Sequence, residues 1–213
     1  MGNLNIEDVK ANLSYFVEWR PALWAPAVNW LIGDPMRFAG KRVLDLGCRY
    51  GRMSCLFGLL DATVTGVELE GVSLARAWRE VDHWNLRGQV QFFNYDGHPL
   101  NIPGRDYDFI LTKSVLVVVP NLDRFLFALS HKLRADGELM MAENLAGGAF
   151  LNFLRRVITH RRFQGLEDRF HGVDADFLAM LSQTFDIIGF KTFYGIVSAI
   201  RGQKKPCLDM ETI

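Results

Sequence analysis

Three short stretches of the chain place acids or glycines where apolar runs end. In the first, an apolar run carries Asp45 and breaks at Gly47, and Gly51 opens a segment with helical spacing. A strand that passes through a glycine turn into a helix leaves backbone N–H groups free at the start of the helix. Because glycine allows close approach of the backbone, such a turn can hold the polar groups of a ligand.

Two more strands are predicted to end in acids. Residues 62–69 read as a strand with Glu68 at its end, and residues 90–96 as a strand that ends at Asp96. Glu68 lies about 20 residues beyond the glycine turn, the spacing at which a carboxylate can accept from ribose hydroxyls. Taken together, these stretches favour a nucleotide-type cofactor site over an ordinary β–α corner. Glu70 is a near competitor for the role of Glu68.

These motifs resemble a known family, the class I S-adenosylmethionine (SAM)-dependent methyltransferases. Val-Leu-Asp-Leu-Gly-Cys at 43–48 is similar to the family's first motif, and Val-Thr-Gly-Val-Glu-Leu at 64–69 to its second. A nicotinamide-binding Rossmann domain would need Gly-x-Gly-x-x-Gly, and this turn has only Gly47 and Gly51. The resemblance covers roughly residues 40–145 well and the remainder loosely.

One residue of the turn departs from the family. Arg49 stands where the family's Gly-x-Gly-x-Gly has its middle glycine. If this position needs a positive φ, a non-glycine residue there costs on the order of 1–2 kcal/mol. The guanidinium could instead point at the carboxylate end of SAM. Two alternatives therefore stay open: a working methyltransferase, and a catalytically degenerate SAM-fold domain that serves as a binding or regulatory module.

The resemblance implies which residues contact SAM, whose product is S-adenosylhomocysteine. Asp45 and the Gly47 backbone would face the amino-acid end, and Glu68 would accept from the ribose. Leu69 would lie on the adenine face, and Asp96 would accept from the adenine amino group. The full set of predicted cofactor contacts is Asp45, Gly47, Cys48, Arg49, Gly51, Glu68, Leu69, Asp96, Gly97 and Lys113.

No motif marks a catalytic group. Methyl transfer is an in-line displacement in which alignment can supply most of the acceleration, and a base is needed only if the acceptor must lose a proton. Candidates for such a base are Lys113, Ser114, Glu143, His160 and His171. Neither Asn-Pro-Pro-Tyr nor Asp-Pro-Pro-Tyr follows the fourth predicted strand. That absence argues against methylation of nucleobase amino groups and for a small-molecule acceptor.

Strands alternating with helical patterns predict an α/β fold with an open, doubly wound, mostly parallel seven-stranded sheet, a C-terminal antiparallel hairpin strand and N-terminal helices. The last two strands are joined at Gly195, too close for a helical crossover, and so are expected to be antiparallel. The predicted helices span residues 3–20, 26–32, 52–60, 73–84, 121–133 and 174–185, and the later strands span 107–111, 138–142, 187–194 and 196–202.

The ends of this domain are predicted to cover the site. Residues 1–38 are expected to form a helical cap, and residues 39–213 the SAM-binding domain with a lid insertion at about 144–172. Tyr15 and Trp19 either line a substrate pocket or help the cap to pack against the sheet. Gly147-Gly148 would be a hinge for a basic lid cluster that is either a solvated face or a holder for an acidic acceptor: Arg155, Arg156, His160, Arg161 and Arg162.

Composition narrows the class of protein. A chain of 213 residues with 49% hydrophobic content suits one domain, and 24 basic against 24 acidic residues give no electrostatic case for nucleic acid. Three cysteines without Cys-x-x-Cys indicate reduced thiols in a cytoplasmic protein and predict no metal site. No apolar run approaches the ~18–20 residues of a membrane helix, and no signal pattern is found. Oligomeric state leaves no trace in the sequence.

Overall fold

The computed structural model describes residues 12–146 and 172–206. The α-helices of these residues are α1 (Leu13–Val17), α2 (Pro21–Ile32), α3 (Arg52–Leu59), α4 (Gly71–Trp84), α5 (Leu122–Ser130) and α6 (Ala175–Thr184). The strands are β1 (Arg42–Leu46), β2 (Thr63–Glu68), β3 (Val90–Asn94), β4 (Tyr107–Lys113), β5 (Leu133–Asn144), β6 (Phe185–Phe193) and β7 (Val197–Lys204). Short 3-10 helices follow at Pro35–Phe38, Pro99–Asn101 and Leu116–Val118.

All the strands join in one seven-stranded sheet of order β3-β2-β1-β4-β5-β7-β6. The first five pair in parallel, while β7 is antiparallel to both of its neighbours. This confirms the predicted fold class, including the reversed hairpin strand. The order reverses between β1 and β4, and open α/β sheets bind ligands outside the carboxyl ends of the strands at such a point.

Helices cover both faces of the sheet because strand side chains alternate. Val43 of β1 packs in a core with the cap helices, α3 and α4, and its neighbour Leu44 faces a second core with α5 and α6. Trp24 of α2 is fully buried in the first core. The cap therefore packs against the sheet. Its Tyr15 donates to Glu80 Oε2 of α4 at 2.6 Å, which is a bond to a neighbouring helix.

The cap differs from the prediction in its helix bounds. The first helix ends at Val17 instead of residue 20, and α2 begins at Pro21 instead of residue 26. Pro21 occupies the first helical position, where a missing N–H costs nothing. Pro26 lies inside α2 and removes only the bond to the Ala22 carbonyl, so burial of the apolar side of the helix outweighs its breaking effect.

The start of β5 also differs from the prediction. A turn was expected at residues 135–137, but α5 ends at Ser130 and β5 already begins at Leu133. Leu133 pairs with Tyr107, and the register shifts directly after this pair. Gly137 makes the shift possible, because a Cβ there would lie 2.9 Å from the Tyr107 carbonyl oxygen.

Several predictions fall outside the described residues. These are the first helix before residue 12, Gly147-Gly148, the basic lid cluster at 155–162 and His171. Within 12–146 and 172–206, no helix is both long enough and apolar enough to cross a membrane. The same residues contain no group of three or more His, Cys, Asp or Glu side chains that could hold a metal ion.

Candidate functional site

The predicted site residues of the first three strands meet at one edge of the sheet. Glu68 ends β2 and pairs with Asn94, the last residue of β3. The Asn94 side-chain amide donates to the backbone oxygens of Glu68 and Leu69 at 2.9 and 3.0 Å. The amides of Gly47 and Cys48 both donate to the Val67 carbonyl. These bonds fix the glycine turn beside the end of β2.

The glycine turn is packed as well as bent. Gly47 has a φ of 76°, and a Cβ there would lie 2.6 Å from Val115 Cγ2. Val115 belongs to the loop after β4, so this loop lies directly against the turn. A side chain at position 47 would therefore be both strained and in collision, which explains why the position needs glycine.

Arg49 adopts the conformation that glycine would favour. Its φ is 50°, so the strain considered from the sequence is present. The Arg49 N–H donates to Glu68 Oε2 at 2.8 Å, and the guanidinium carbon lies 4.8 Å from the centre of the Tyr50 ring. No carboxylate of the described residues lies within ion-pair distance of this guanidinium. The arginine charge is therefore left for another partner.

Glu68 and Glu70, the two acids at the end of β2, have different hydrogen-bond partners. Glu70 Oε2 accepts from Ser73 Oγ at 2.6 Å, so this side chain belongs to the first turn of α4. Among the described residues, the Glu68 carboxylate accepts only from backbone amides, those of Arg49 and Glu70. Each of its oxygens keeps acceptor capacity for a hydroxyl. This difference favours Glu68 over Glu70 as the ribose acceptor.

The predicted adenine end is open. Leu69 is 63% exposed, and a Cβ on Gly97 would lie 3.6 Å from Leu69 Cδ2. Asp96 accepts from the His98 N–H at 2.9 Å and from the Asn101 side-chain amide at 2.6 Å. These bonds, that of His98 first, lower the pKa of the Asp96 carboxyl. Asp96 is thus a charged acceptor beside an apolar surface and a small glycine.

Asp45 lies deeper than the sequence suggests. Its side chain is 3% exposed, and Oδ2 accepts from Ser54 Oγ of α3 at 2.6 Å. Burial raises the pKa of the Asp45 carboxyl to about 7, although the Ser54 bond opposes this. Asp45 therefore sits beneath the turn, and any contribution to a ligand at the edge is made from this buried position.

Two charged residues that lie far apart in the sequence are close to Asp45. Lys113 ends β4, and burial lowers its pKa while the charges of Glu18 and Asp45 raise it. Its Nζ lies 5.3 Å from the centre of the Trp24 ring of α2. Glu18 comes from the turn between α1 and α2. No motif surrounds Glu18, so the sequence does not predict this residue at the site; only the packing of the cap carries it to the strand ends.

Two predicted residues are packed against the core. The Cys48 side chain is buried, and its Sγ would lie 3.0 Å from a Cβ on Gly66. Gly51 is buried against Phe92 and Ala77. Both were predicted as cofactor contacts; their buried sides face the core between the sheet and the helices, and a contact of their backbone with the cofactor stays a prediction. Their residue types are explained by packing.

Glu143, predicted as a possible base, is fully buried. Its Oε1 accepts from Thr112 Oγ1 at 3.0 Å and from the amides of Val115 and Leu116 at 3.2 Å each. Burial raises the pKa of this carboxyl to about 7. In the described residues Glu143 therefore holds the loop after β4, and its role as a base stays a prediction.

The loop after β4 presents a different pair at the edge. Ser114 has a φ of 58°, and its Oγ accepts from the Asn144 side-chain amide at 3.1 Å. Both residues end neighbouring parallel strands, next to Lys113. His160 and His171 lie outside the described residues and stay predictions.

A parallel sheet with a glycine turn after β1, acids after β2 and β3, and a reversed final strand is the fold of class I SAM-dependent methyltransferases. Comparison with known proteins agrees with this. Residues 44–141 match the family model described as a methyltransferase domain, and solved SAM-dependent methyltransferases share the fold. The cofactor of this family is SAM.

Curated relatives match about half of the chain. The mitochondrial ubiquinone biosynthesis O-methyltransferase of Schizosaccharomyces pombe is 28% identical over 107 residues, which are 49% of this chain and 38% of the relative. The phosphatidylethanolamine N-methyltransferase of Cereibacter sphaeroides is 27% identical over 107 residues, 50% of this chain and 52% of the relative. The chain thus spans about half, or less, of the length of these relatives.

Solved structures match nearly the whole chain. The PH0226 protein of Pyrococcus horikoshii has a TM-score of 0.65 at 12% identity, covering 96% of this chain and 94% of the other. Magnesium protoporphyrin IX methyltransferase of Synechocystis, solved with bound SAH, has a TM-score of 0.65 at 16% identity, covering 96% and 90%. At such identities the likeness shows the fold alone.

Proposed function

We propose that this domain transfers a methyl group from SAM to a small-molecule acceptor. The observation that carries the proposal is the set of groups at one sheet edge: a glycine turn, a Glu68 carboxylate held only by amides, and the charged Asp96 beside exposed Leu69. These groups match the functional parts of a nucleoside that carries an amino acid.

The residues fit SAM part by part. Glu68 has acceptor capacity for ribose hydroxyls, and Asp96 for the adenine amino group. Lys113 and the unpaired Arg49 guanidinium supply positive charge for a carboxylate. Glu18 Oε1 is buried and has no hydrogen-bond partner within residues 12–146 and 172–206, which suits an ammonium group. When bound, SAM supplies a methyl group on a sulfonium that is already activated for transfer.

The acceptor is proposed to approach from the ends of β4 and β5. Ser114 and Asn144 place a hydroxyl and an amide there, and both can orient a polar group without removing a proton. The relatives are named for ubiquinone biosynthesis, phosphatidylethanolamine and, in Mycolicibacterium smegmatis, fatty-acid methylation. These names support an acceptor in small-molecule metabolism. The buried free thiols of Cys48 and Cys55 fit a cytoplasmic protein.

The second candidate is a domain that binds SAM without catalysing. Arg49 favours it, because a strained arginine replaces a glycine that the family keeps. Both candidates require cofactor binding, so they differ only in turnover.

Thermal unfolding tests the cofactor. We expect S-adenosylhomocysteine at about 100 times its Kd to stabilise the protein by about 2.7 kcal/mol. That corresponds to a rise in Tm of roughly 5–11 °C for a domain of this size. NADH is the control and should give no shift. A shift with NADH and none with SAM or S-adenosylhomocysteine would end the methyltransferase proposal.

Turnover separates the two candidates. Cell extract incubated with the protein and methyl-labelled SAM should yield a labelled small molecule by mass spectrometry. Protein that binds S-adenosylhomocysteine but labels nothing in several extracts would favour the binding module.

A further inference from the structure

The turn between α1 and α2 brings a strained glutamate into the site. Glu18 has φ 63° and ψ −102°, a conformation that non-glycine residues rarely adopt. The residue closes α1, and its neighbour Arg20 is also left-handed at a φ of 49°. Such strain persists only where surrounding contacts fix it, and here the buried side chains of both cap helices do so.

The Glu18 carboxylate is buried without full compensation. Burial raises its pKa, while the charges of Lys113, Arg49 and Arg52 and the Arg52 N–H favour the ionised form. Even so, its Oε1 is buried and has no hydrogen-bond partner among the described residues. A buried carboxylate oxygen with no donor is costly, so the arrangement is complete only when a donor arrives.

A second unpaired atom lies in the same part of the cap. The indole Nε1 of Trp24 is buried and has no acceptor in the described part of the chain. The ring of Trp24 stands beside Lys113 Nζ. The cap therefore presents an acceptor without a donor in Glu18, and a donor without an acceptor next to a lysine. An α-amino-acid group carries the complement of both, an ammonium and a carboxylate.

We propose that the N-terminal cap helps to bind the amino-acid end of the cofactor. In this arrangement Glu18 accepts a hydrogen bond from the α-ammonium of the cofactor, and Lys113 faces its carboxylate. The proposal rests on the function proposed above and assigns to the cap a role that the glycine turn does not fill. Asp45 is already bonded to Ser54 beneath the turn, and of these two carboxylates Glu18 is the one with a buried oxygen that has no donor among the described residues.

One competing arrangement has the opposite consequence. Glu18 could occupy the place of the cofactor's own carboxylate, since Arg49, Arg52 and Lys113 all act on it. In that case the Glu18 carboxylate would accept hydrogen bonds from the donors that otherwise bind the cofactor carboxylate, and both of its oxygens would have a partner. The unpaired Oε1 favours the ammonium acceptor instead. The two arrangements predict changes of opposite sign when the charge of Glu18 is removed.

Calorimetric titration of Glu18→Gln provides the test. The variant should bind S-adenosylhomocysteine at least tenfold more weakly than wild type. It should bind 5′-methylthioadenosine, which has no amino-acid end, as well as wild type does. Glu70→Gln is the matched control, because Glu70 lies close in the sequence to Glu68 but bonds Ser73. It should change neither affinity.

A deaminated analogue of S-adenosylhomocysteine completes the cycle. Loss of the amino group should lower the affinity of wild type for this ligand at least tenfold. It should lower the affinity of Glu18→Gln little or not at all. Equal or tighter binding of S-adenosylhomocysteine by Glu18→Gln would overturn the proposal, as would loss of both ligands by that variant. Wild type that binds neither ligand would instead contradict the proposed function, and the role of Glu18 would fall with it.

Discussion

At the residue scale, the glycine turn shows how one substitution can act on both stability and binding. Arg49 has a φ of 50°, and its N–H is bonded to the carboxylate of Glu68. Its charge acts on Glu18 and Lys113, which places the guanidinium near the predicted amino-acid end. The backbone of this residue is strained while its side chain remains available, so the two effects can be separated by different substitutions.

Arg49→Gly and Arg49→Ala form a pair for that purpose. Both remove the guanidinium and should weaken S-adenosylhomocysteine binding by about 1–3 kcal/mol, the range for a hydrogen bond to a charged group. Only glycine relieves the left-handed strain, so Arg49→Gly should unfold with a free energy roughly 1 kcal/mol higher than Arg49→Ala. Calorimetry and urea unfolding measure the two quantities. Unchanged affinity in both variants would show that the side chain is idle.

Glu143 should make the protein less stable as pH rises. Its pKa is raised from 4.5 to about 7 by burial, so the folded state binds a proton more tightly than the unfolded chain does. The stabilisation is full below about pH 4.5 and is lost as pH rises toward 7. Glu143→Gln should flatten the fall in urea midpoint between pH 4.5 and 7.5. Part of the fall in urea midpoint should remain in this variant, because the pKa of Asp45 is also raised by burial. An identical slope in the variant would contradict a buried, proton-binding Glu143.

At the element scale, the β1–α3 corner depends on how closely α4 and β3 approach it. Gly51 begins α3 with a φ of 76°, and a Cβ there would lie 2.5 Å from Phe92 Cζ and 2.8 Å from Ala77 Cβ. Gly40 has a φ of 68° but nothing within 4 Å of such a Cβ. The two glycines have similar φ values, but only Gly51 lacks room for a side chain.

Alanine at these positions should separate strain from collision. Gly40→Ala should cost about 1–2 kcal/mol, the left-handed term alone. Gly51→Ala should cost about 1–3 kcal/mol more, because a packed corner must move. Denaturant unfolding of both variants measures the difference. An equal loss of unfolding free energy in the two variants would show that α4 can move to make room for the added methyl group without a measurable cost.

The elements also mark the limit of what the sequence predicts. Alternation of apolar runs is a local property, and it was enough for the sheet and for the acids after β2 and β3. The start of β5 at Leu133 depends on pairing with Tyr107, a distant residue, so a local turn signal misplaced it. Glu18 is brought to the site by helix packing alone. The burial of Cys48 and Gly51 likewise depends on contacts with residues that are distant in the sequence, and the local motif does not indicate these contacts.

At the scale of the whole molecule, an ion-pair group ties the cap to the far half of the sheet. Glu138 of β5 binds Arg201 of β7 through two bonds, at 2.7 and 2.9 Å, and its Oε2 lies 2.8 Å from Arg37 Nη2. The Arg37 guanidinium also lies 4.6 Å from the centre of the Phe109 ring of β4. The Glu138 carboxylate thus joins the segment after α2 to β5 and β7, and the Arg37 guanidinium adds a contact with β4.

Glu138→Gln should loosen this connection. The amide leaves two partly buried arginines without their charge partner, so the free energy of unfolding should fall by about 1–3 kcal/mol. Arg134→Gln is the control, because its partners Asp108 and Asp136 include an exposed acid and surface pairs contribute about 0–1 kcal/mol. Urea unfolding compares the two. A loss no larger than that of the control would show that the cap is held by apolar packing alone.

The position of β7 has a consequence for synthesis. This strand follows β6 in the chain but lies between β5 and β6 in the sheet, so β6 has no bond to the sheet except through it. Before residues 197–204 have emerged from the ribosome, the first five strands can already pair, but β6 lacks its neighbour β7. The sheet closes only when the last strand leaves the exit tunnel and enters the gap. A nascent chain stalled before this point should expose the edges of both β5 and β6, and is the form in which this protein is most open to aggregation and to chaperones.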